Sequence, residues 1–371
     1  MKILAIDTSC DETAAAVTEG TKVLSNIIWS QASLHAKFGG IYPSLAKRQH
    51  EERIDFVIEK ALKSAFPKIT NHQSLITNHI TAIAVTIGPG LAIALEVGIK
   101  KAKELAKKYN KPLIAVNHVE GHTLSVLARS RNSKFQITNY KFPALAFVAS
   151  GGTTQLILVK EVGVYEIIAQ TSDDALGEAL DKAARMLGLG YPGGAILEKM
   201  ARLAKAPAER AHLHDVSSRQ AHYNLPVPMI GQENKFKFSY SGLKTAFYKL
   251  IELTKKKGLG KQQIYDLAAS FQDKAFQHVE RMIKKTIEEY PVKEFWFGGG
   301  VSANIELRKR IRNICKNQGI TMRLPYSKKL CTDNAAMIGV VAYFKAQRKE
   351  FVKDFEKIER VPRAKIIDAS P

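Results

Sequence analysis

The chain has 371 residues, room for two packed domains at roughly 100–200 residues each, and its 45% hydrophobic and 25% charged content is that of a folded globular protein. Lys and Arg outnumber Asp and Glu 56 to 35, a net charge of +21 that suits a polyanionic partner such as RNA, because phosphate contacts dominate nucleic-acid affinity. Cys10, Cys315 and Cys331 have no paired spacing, which argues against a disulfide framework or a thiolate zinc site.

The opening MKILAIDTSCDET reaches acidic side chains too soon for a signal or transit peptide, so a cytoplasmic location is expected. Residues 2–6 read as a strand, Asp7-Thr8-Ser9 as a polar turn, and residues 13–17 and 22–28 as returning strands. Helical apolar spacing covers 48–64 and 95–109, with a buried strand over 81–87 between them. The most apolar window, 81–99, is broken by Gly88-Pro89-Gly90 and carries Glu96, so no membrane span is expected. Much of the lysine excess lies on such helical stretches (Lys100, Lys101, Lys103, Lys107 and Lys108, for example). This reads as a distributed basic surface, and no compact Arg-rich RNA-binding motif is present.

Residues 112–116 form a strand that leads into a helix, and 143–149, 150–154 and 155–159 repeat the opening pattern of strand, small polar turn and returning strand. That recurrence, with strands alternating with helices elsewhere, points to an α/β protein of two related lobes whose hairpin tips face a shared cleft. Helices are expected over 174–187, 197–205, 262–289, 305–317 and 334–349, and short strands over 294–297 and 323–325. Residues 207–237 read as an irregular excursion whose His212, His214 and His222 have no convincing ligand spacing. The charged residues 350–371 are the one stretch biased enough to read as a disordered tail.

The sharpest chemical signal is Asn117-His118-Val119-Glu120-Gly121-His122. Residues four apart share a helix face, so His118 and His122 could supply two nitrogen ligands to one metal; two ordinary histidines near a helix start are the plain alternative. Glu120 lies about 200° round the helix from His118 and would point away, unlike the base of a zinc peptidase. Asp333, at the front of the last helix, is the best third ligand, although a helix cap is the commoner role there. Four glycine-rich turns, at 88–90, 150–153, 192–194 and 298–304, could admit phosphate to backbone N–H groups, but neither a Walker lysine nor GxGxxG spacing is present. Asp7, Asp11 and Glu12 cluster in the first hairpin, while Asp174, Glu178 and Asp181 are placed on one face of the expected helix.

Seven motifs in order carry a family resemblance: Ile6-Asp7-Thr8-Ser9-Cys10-Asp11-Glu12-Thr13, His118 to His122, Ser150-Gly151-Gly152, and the run from Ser172 to Gly194 that includes Asp181-Lys182 and Tyr191-Pro192-Gly193-Gly194. Phe238 to Thr245, Gly299 to Asn304 and Cys331-Thr332-Asp333-Asn334 complete the set. Together they resemble the bacterial or organellar branch of the tRNA N6-adenosine threonylcarbamoyltransferases (TsaD/Gcp), over about residues 1–345.

The resemblance implies an ASKHA (actin-like ATPase, Hsp70, sugar kinase) fold. Its N-terminal lobe would span 1–122, rejoined by the helix at about 334–349, and its C-terminal lobe 123–333, with an insertion at about 172–262. It implies transfer of threonylcarbamoyl from threonylcarbamoyl-AMP to N6 of adenosine 37 in tRNAs reading ANN codons. The metal ligands would be His118, His122 and Asp333, holding one Fe2+ or Zn2+ ion. Substrate would be bound by Ala149, Ser150, Gly151, Gly152, Thr153, Asp181, Gly194 and Asn304, and Asp11 and Glu12 become candidate catalytic residues. Implied partners are tRNA, a TsaB-like paralogue and a TsaE-like ATPase, with a TsaC-like enzyme supplying the intermediate. The bacterial pattern usually has His where this chain has Thr153, which cannot carry an imidazole's contact or charge. A metallopeptidase, a small-molecule kinase of the same fold and a non-catalytic RNA-binding scaffold are the rival readings.

Overall fold

The computed structural model describes residues 1–69, 72–134, 139–204, 223–256 and 258–366. Strands β1 (Lys2–Asp7), β2 (Glu12–Glu19) and β3 (Lys22–Ser30) form an antiparallel meander, and β4 (Ala82–Gly88) and β5 (Leu113–Asn117) add in parallel, giving the order β3-β2-β1-β4-β5. The second half repeats this plan. Strands β6 (Ala144–Ala149), β7 (Thr154–Glu161) and β8 (Val164–Thr171) form the meander, and β9 is the two-residue edge strand Lys237–Phe238. Strands β10 (Glu294–Gly298) and β11 (Thr321–Arg323) run parallel to β6, giving β11-β10-β6-β7-β8-β9.

Strand pleating explains how both sheets come to be buried on two sides. On β1, Ile3 and Ala5 face a core shared with the helix Ala335–Gln347, while Leu4 and Ile6 face a second core built with the helices Pro43–Ala65 and Ala92–Lys108. On β6, Ala144, Ala146 and Val148 join the same shared core, and Leu145, Phe147 and Ala149 face the helices Leu176–Met186 and Lys261–Glu289. The shared core therefore lies between the sheets, and the short helix His118–Leu124 is part of it through Val119 and Leu124.

Several details differ from the sequence reading. The last short strand is Thr321–Arg323, not 323–325, because its register sets Thr321 to Arg323 against Glu294 to Trp296, and Pro325 has no N–H to give a ladder. The helix expected from 174 begins at Leu176: Ala175 is extended, and Asp174 lies outside the helix, paired with Lys182 and Lys244. Strand β8 and the helix Ser241–Lys256 escaped the reading altogether.

The tail is not disordered through residue 366. Val352 N–H donates to Leu113 O at 2.9 Å, Val361 N–H to Ile87 O at 2.7 Å, and Ile366 is buried in the shared core. Gly88 is kept side-chain-free by this strap, since a Cβ there would stand 1.9 Å from Val361 O. Arg360 pairs with Glu96 and Glu356 with Lys107, so two of the tail's charges tie it to the helix Ala92–Lys108. His212, His214 and His222, with residues 207–222 of the excursion, lie outside the described residues. Among the described residues, no helix is long and apolar enough to cross a membrane.

Candidate metal centre and active-site cleft

The helix His118–Leu124 starts where β5 ends, and Asn117 sets its direction: its side-chain oxygen accepts from Val119 N–H at 2.9 Å and Glu120 N–H at 3.2 Å. Its side-chain amide donates to Lys365 O at 3.0 Å, so the C-terminal strap holds the cap of this helix. His118 and His122 then project from one face, with ring centroids 4.7 Å apart and planes at 84°.

Asp333 arrives from the far end of the chain. The sequence left it between ligand and cap, and the structure gives the cap to its neighbour: Asn334 accepts from Met337 N–H at 3.0 Å. Oδ1 of Asp333 lies 3.4 Å from His118 Nε2 and 3.2 Å from His122 Nε2. The three residues offer ligand atoms within 4.8 Å of one another, the one such cluster of three or more donors among the described residues.

Electrostatics fit a cation here. Burial disfavours charge on His118, yet Asp333 and Asp7 outweigh it and raise its pKa well above the ordinary value. Burial lowers that of His122. Burial would raise Asp333, but the two imidazoles hold it well below the usual carboxylate range. Glu12 is pushed well up by burial and by the carboxylates of Asp11, Asp333 and Asp7, and the Cys10 thiol likewise by burial, Asp11, Asp333 and Glu12. Carboxylates crowded into a buried site with two imidazoles form a nitrogen-and-oxygen donor set that a borderline divalent ion would neutralise.

Glu120 takes no part. It is buried on the opposite side of the helix, where its Oε1 accepts from Tyr165 OH at 2.9 Å, so Glu120 is not placed as the base that a metallopeptidase would need beside the histidine pair.

Across the cleft, the Ser150–Thr153 turn is closed by Ser150 N–H to Thr153 O at 2.8 Å and Thr153 N–H to Ser150 Oγ at 3.1 Å. Gly151 and Gly152 face open space, whereas a Cβ on Gly299 would stand 2.3 Å from Ala149 O and one on Gly298 2.2 Å from His122 O. The 298–300 turn is thus wedged between the histidine helix and the end of β6. The 88–90 turn differs from the phosphate-facing reading: its glycines pack on Val361 and Ser9.

Asp181 Oδ1 accepts from Gly193 N–H at 2.8 Å and Gly194 N–H at 2.7 Å, which fixes the start of the helix Gly194–Leu203. Asn304 spends its amide on Gln272 Oε1 and its oxygen on Leu307 N–H, at 3.1 and 3.0 Å. The expected single face of Asp174, Glu178 and Asp181 is not formed: Lys182 bridges Asp174 and Glu178, and Asp181 serves the glycine pair. Tyr191 joins the two sides; burial, Asp11, Cys10, Asp181 and Glu12 all raise its pKa.

Sequence reasoning passed over Tyr191 as a functional residue, since only the fold brings it near enough to Asp11 for their charges to interact. It also passed over His50, whose ring touches Thr13 Oγ1 at 2.8 Å and Cys10 O at 3.0 Å behind the acidic loop. Asp7, an acidic side chain at the end of a buried strand, is the signal in the sequence that points to this corner of the site.

Two sheets of one repeated plan, with a His/His/Asp cluster beside the cleft between them, define the class: an ASKHA-fold protein with a candidate metal centre. Solved structures agree on the fold. HypF from T. kodakarensis superposes with TM-score 0.56 at 13% identity, covering 94% of this chain and 48% of that one. Component A of (R)-2-hydroxyglutaryl-CoA dehydratase from Acidaminococcus fermentans gives 0.51 at 13%, covering 94% and 99%.

A family model describing tRNA N6-adenosine threonylcarbamoyltransferase (TsaD) matches residues 22–340, and the chain belongs to that family. Relatives of that name from Enterococcus faecalis and Bacillus subtilis are 40% and 39% identical, covering 94% of this chain and 91% and 92% of theirs. One from Persephonella marina is 38% identical over 99% of this chain and 97% of its own.

Proposed function

We propose that this cleft transfers the threonylcarbamoyl group of threonylcarbamoyl-AMP to N6 of adenosine 37 in tRNAs that read ANN codons. In that reaction N6 forms a bond to the carbamoyl carbonyl carbon, the bond from that carbon to the phosphate oxygen of AMP breaks, and the N6 proton goes to a base. Supporting this reading are the family membership and, on the structure, the convergence of His118, His122 and Asp333 beside the Asp7–Glu12 loop.

His118, His122 and Asp333 would hold one divalent ion, Fe2+ or Zn2+, leaving coordination positions open. Such an ion, when bound, supplies Lewis-acid polarisation of a carbonyl oxygen. Glu12, whose carboxylate is made more basic by burial and its acidic neighbours, takes the N6 proton, and Asp11 orients the amine. The Ser150–Thr153 turn, with Gly151 and Gly152 open to the cleft, receives the phosphate of AMP through backbone N–H groups. Gly194 forms adjacent wall, Ala149, buried at the end of β6, holds the turn in place from behind, Asp181 accepts a ribose hydroxyl, and Asn304 acts by fixing the helix start beside it. Thr153 offers a hydroxyl where an imidazole is usual in the family, so it serves as a neutral hydrogen-bonding group.

The basic surface, net +21, suits tRNA, and a TsaB-like paralogue and a TsaE-like ATPase complete the working assembly in the cytoplasm. We also take the lobes to divide near residue 122, with the helix Ala335–Gln347 belonging to the first. The test is threonylcarbamoyl transfer to unmodified tRNA, with intermediate and partners supplied. The double variant His118→Ala, His122→Ala should lose at least 100-fold in rate. Wild-type rates in that variant remove the metal from the mechanism, and no transfer by the wild-type chain removes the activity.

A further inference from the structure

His118 has two ring nitrogens with different neighbours. Nε2 faces Asp333 Oδ1 at 3.4 Å, on the side where the ligand atoms gather, and Nδ1, on the opposite edge of the ring, faces Asp7 Oδ2 at 3.5 Å. Neither that Nδ1 nor that Oδ2 has a hydrogen-bond partner among the described residues, although both are buried. The gap is one small side-chain adjustment from hydrogen-bond length.

Asp7 itself is firmly held. It is the last residue of β1 and 1% exposed, and its other oxygen accepts from Ser9 N–H at 3.1 Å. A carboxylate so buried, with one oxygen aimed at an imidazole, is expensive unless the imidazole donates to it. His122 has no matching arrangement: its Nδ1 is buried too, but among the described residues its one carboxylate neighbour, Asp333, meets its Nε2.

We propose that Asp7 is a positioning residue for the metal centre, accepting a hydrogen bond from Nδ1–H of His118 so that the Nε2 lone pair is aimed at the ion. The inference rests on the metal reading above and deepens it. A ligating imidazole must be neutral and in one tautomer, and a carboxylate on the far nitrogen selects that tautomer, fixes the ring plane and makes the ligand more electron-rich. Asp7 does not ligate, because it meets the ring edge turned away from the donor cluster. Asn at position 7 cannot replace it: Ser9 N–H and His118 Nδ1–H meet different oxygens of the carboxylate, and an amide would set an NH2 donor against one of these donors.

The experiment titrates Zn2+ and Co2+ into the full-length metal-free chain in competition with a chromogenic chelator, comparing wild type with Asp7→Asn. A 10- to 100-fold weaker dissociation constant is expected in the variant, with its circular dichroism unchanged. A constant within about threefold of wild type overturns the proposal. Should Asp7→Asn fold poorly, nitrogen-15 histidine spectra of the zinc-loaded wild type decide the matter. His118 with Nε2 bound to zinc and a proton on Nδ1 supports it, and Nδ1 bound to zinc overturns it. If wild type binds neither ion, the metal reading itself falls and takes this inference with it; equal binding by wild type and variant sinks the role of Asp7 alone.

Discussion

Adjacent residues 333 and 334 are assigned separate tasks, and that separation can be measured. Asn334, fully buried, caps the helix Ala335–Gln347 through Met337 N–H and also donates to Thr332 O at 2.8 Å, whereas Asp333 points its Oδ1 at both imidazoles. Asn334→Ala should therefore destabilise the fold by about 1–2 kcal/mol, the upper range for a lost cap, while leaving the three donors in place. Asp333→Ala removes one donor of three.

At a Zn2+ concentration 100 times the wild-type dissociation constant, binding adds about 2.7 kcal/mol to stability. A 100-fold weaker site brings that ratio to about one, so the increment in Asp333→Ala falls to about 0.4 kcal/mol. Urea unfolding of both variants and the wild type, with and without Zn2+, gives the three metal increments and the metal-free stability loss of Asn334→Ala. The reasoning is refuted if Asp333→Ala keeps the full metal increment, or if Asn334→Ala loses it.

Gly299→Ala should cost more than about 2 kcal/mol in urea unfolding, because the residue has φ +84 and its Cβ would lie 2.3 Å from Ala149 O. Gly151→Ala, facing open space, should stay within about 0.5 kcal/mol of wild type in stability and lose transfer rate if phosphate sits on that turn. Glu120→Gln should keep threonylcarbamoyl transfer within about threefold of wild type, since Glu120 faces Tyr165 and not the histidine pair, and a 100-fold loss would show that it takes part. His278 is lowered to about 4 by burial and, secondarily, by Arg281, from an ordinary value of 6.5. The unfolded chain then binds a proton that the folded chain does not, so this group removes about 1.4 kcal/mol per pH unit as pH falls from 6.5 towards 4. Replacing His278 with Gln should flatten the stability profile by that amount between those limits, and an unchanged slope measured by urea unfolding at pH 7, 6 and 5 would contradict it.

The sequence by itself carried the two-lobed plan, because apolar runs ending in small polar turns recur at residues 2–9 and 143–154, and buried strands of both faces have a signature that local composition cannot hide. It carried the histidine pair for the same kind of reason: four-residue spacing fixes two side chains on one helix face whatever surrounds them. Spacing alone left cap and ligand open at Asp333, since both roles use a carboxylate at a helix start, and the ligand role came from the resemblance; only the fold gives the cap to Asn334 and sets Asp333 3.2 and 3.4 Å from imidazoles 211 and 215 residues away.

The strap was illegible for a related cause. Residues 350–366 are charged and lack periodicity, and their order comes from backbone hydrogen bonds to β4 and β5 and from pairing with Glu96 and Lys107, partners that are far away in sequence. Asp7 shows the limit most plainly. As a letter it is one of three acids near a turn; folded, its oxygen lies against the far nitrogen of His118, because β1 and β5 both end at the same edge of one parallel stack. Local chemistry is written in short spacings, but which groups meet is decided by how the sheets bring distant strand ends together.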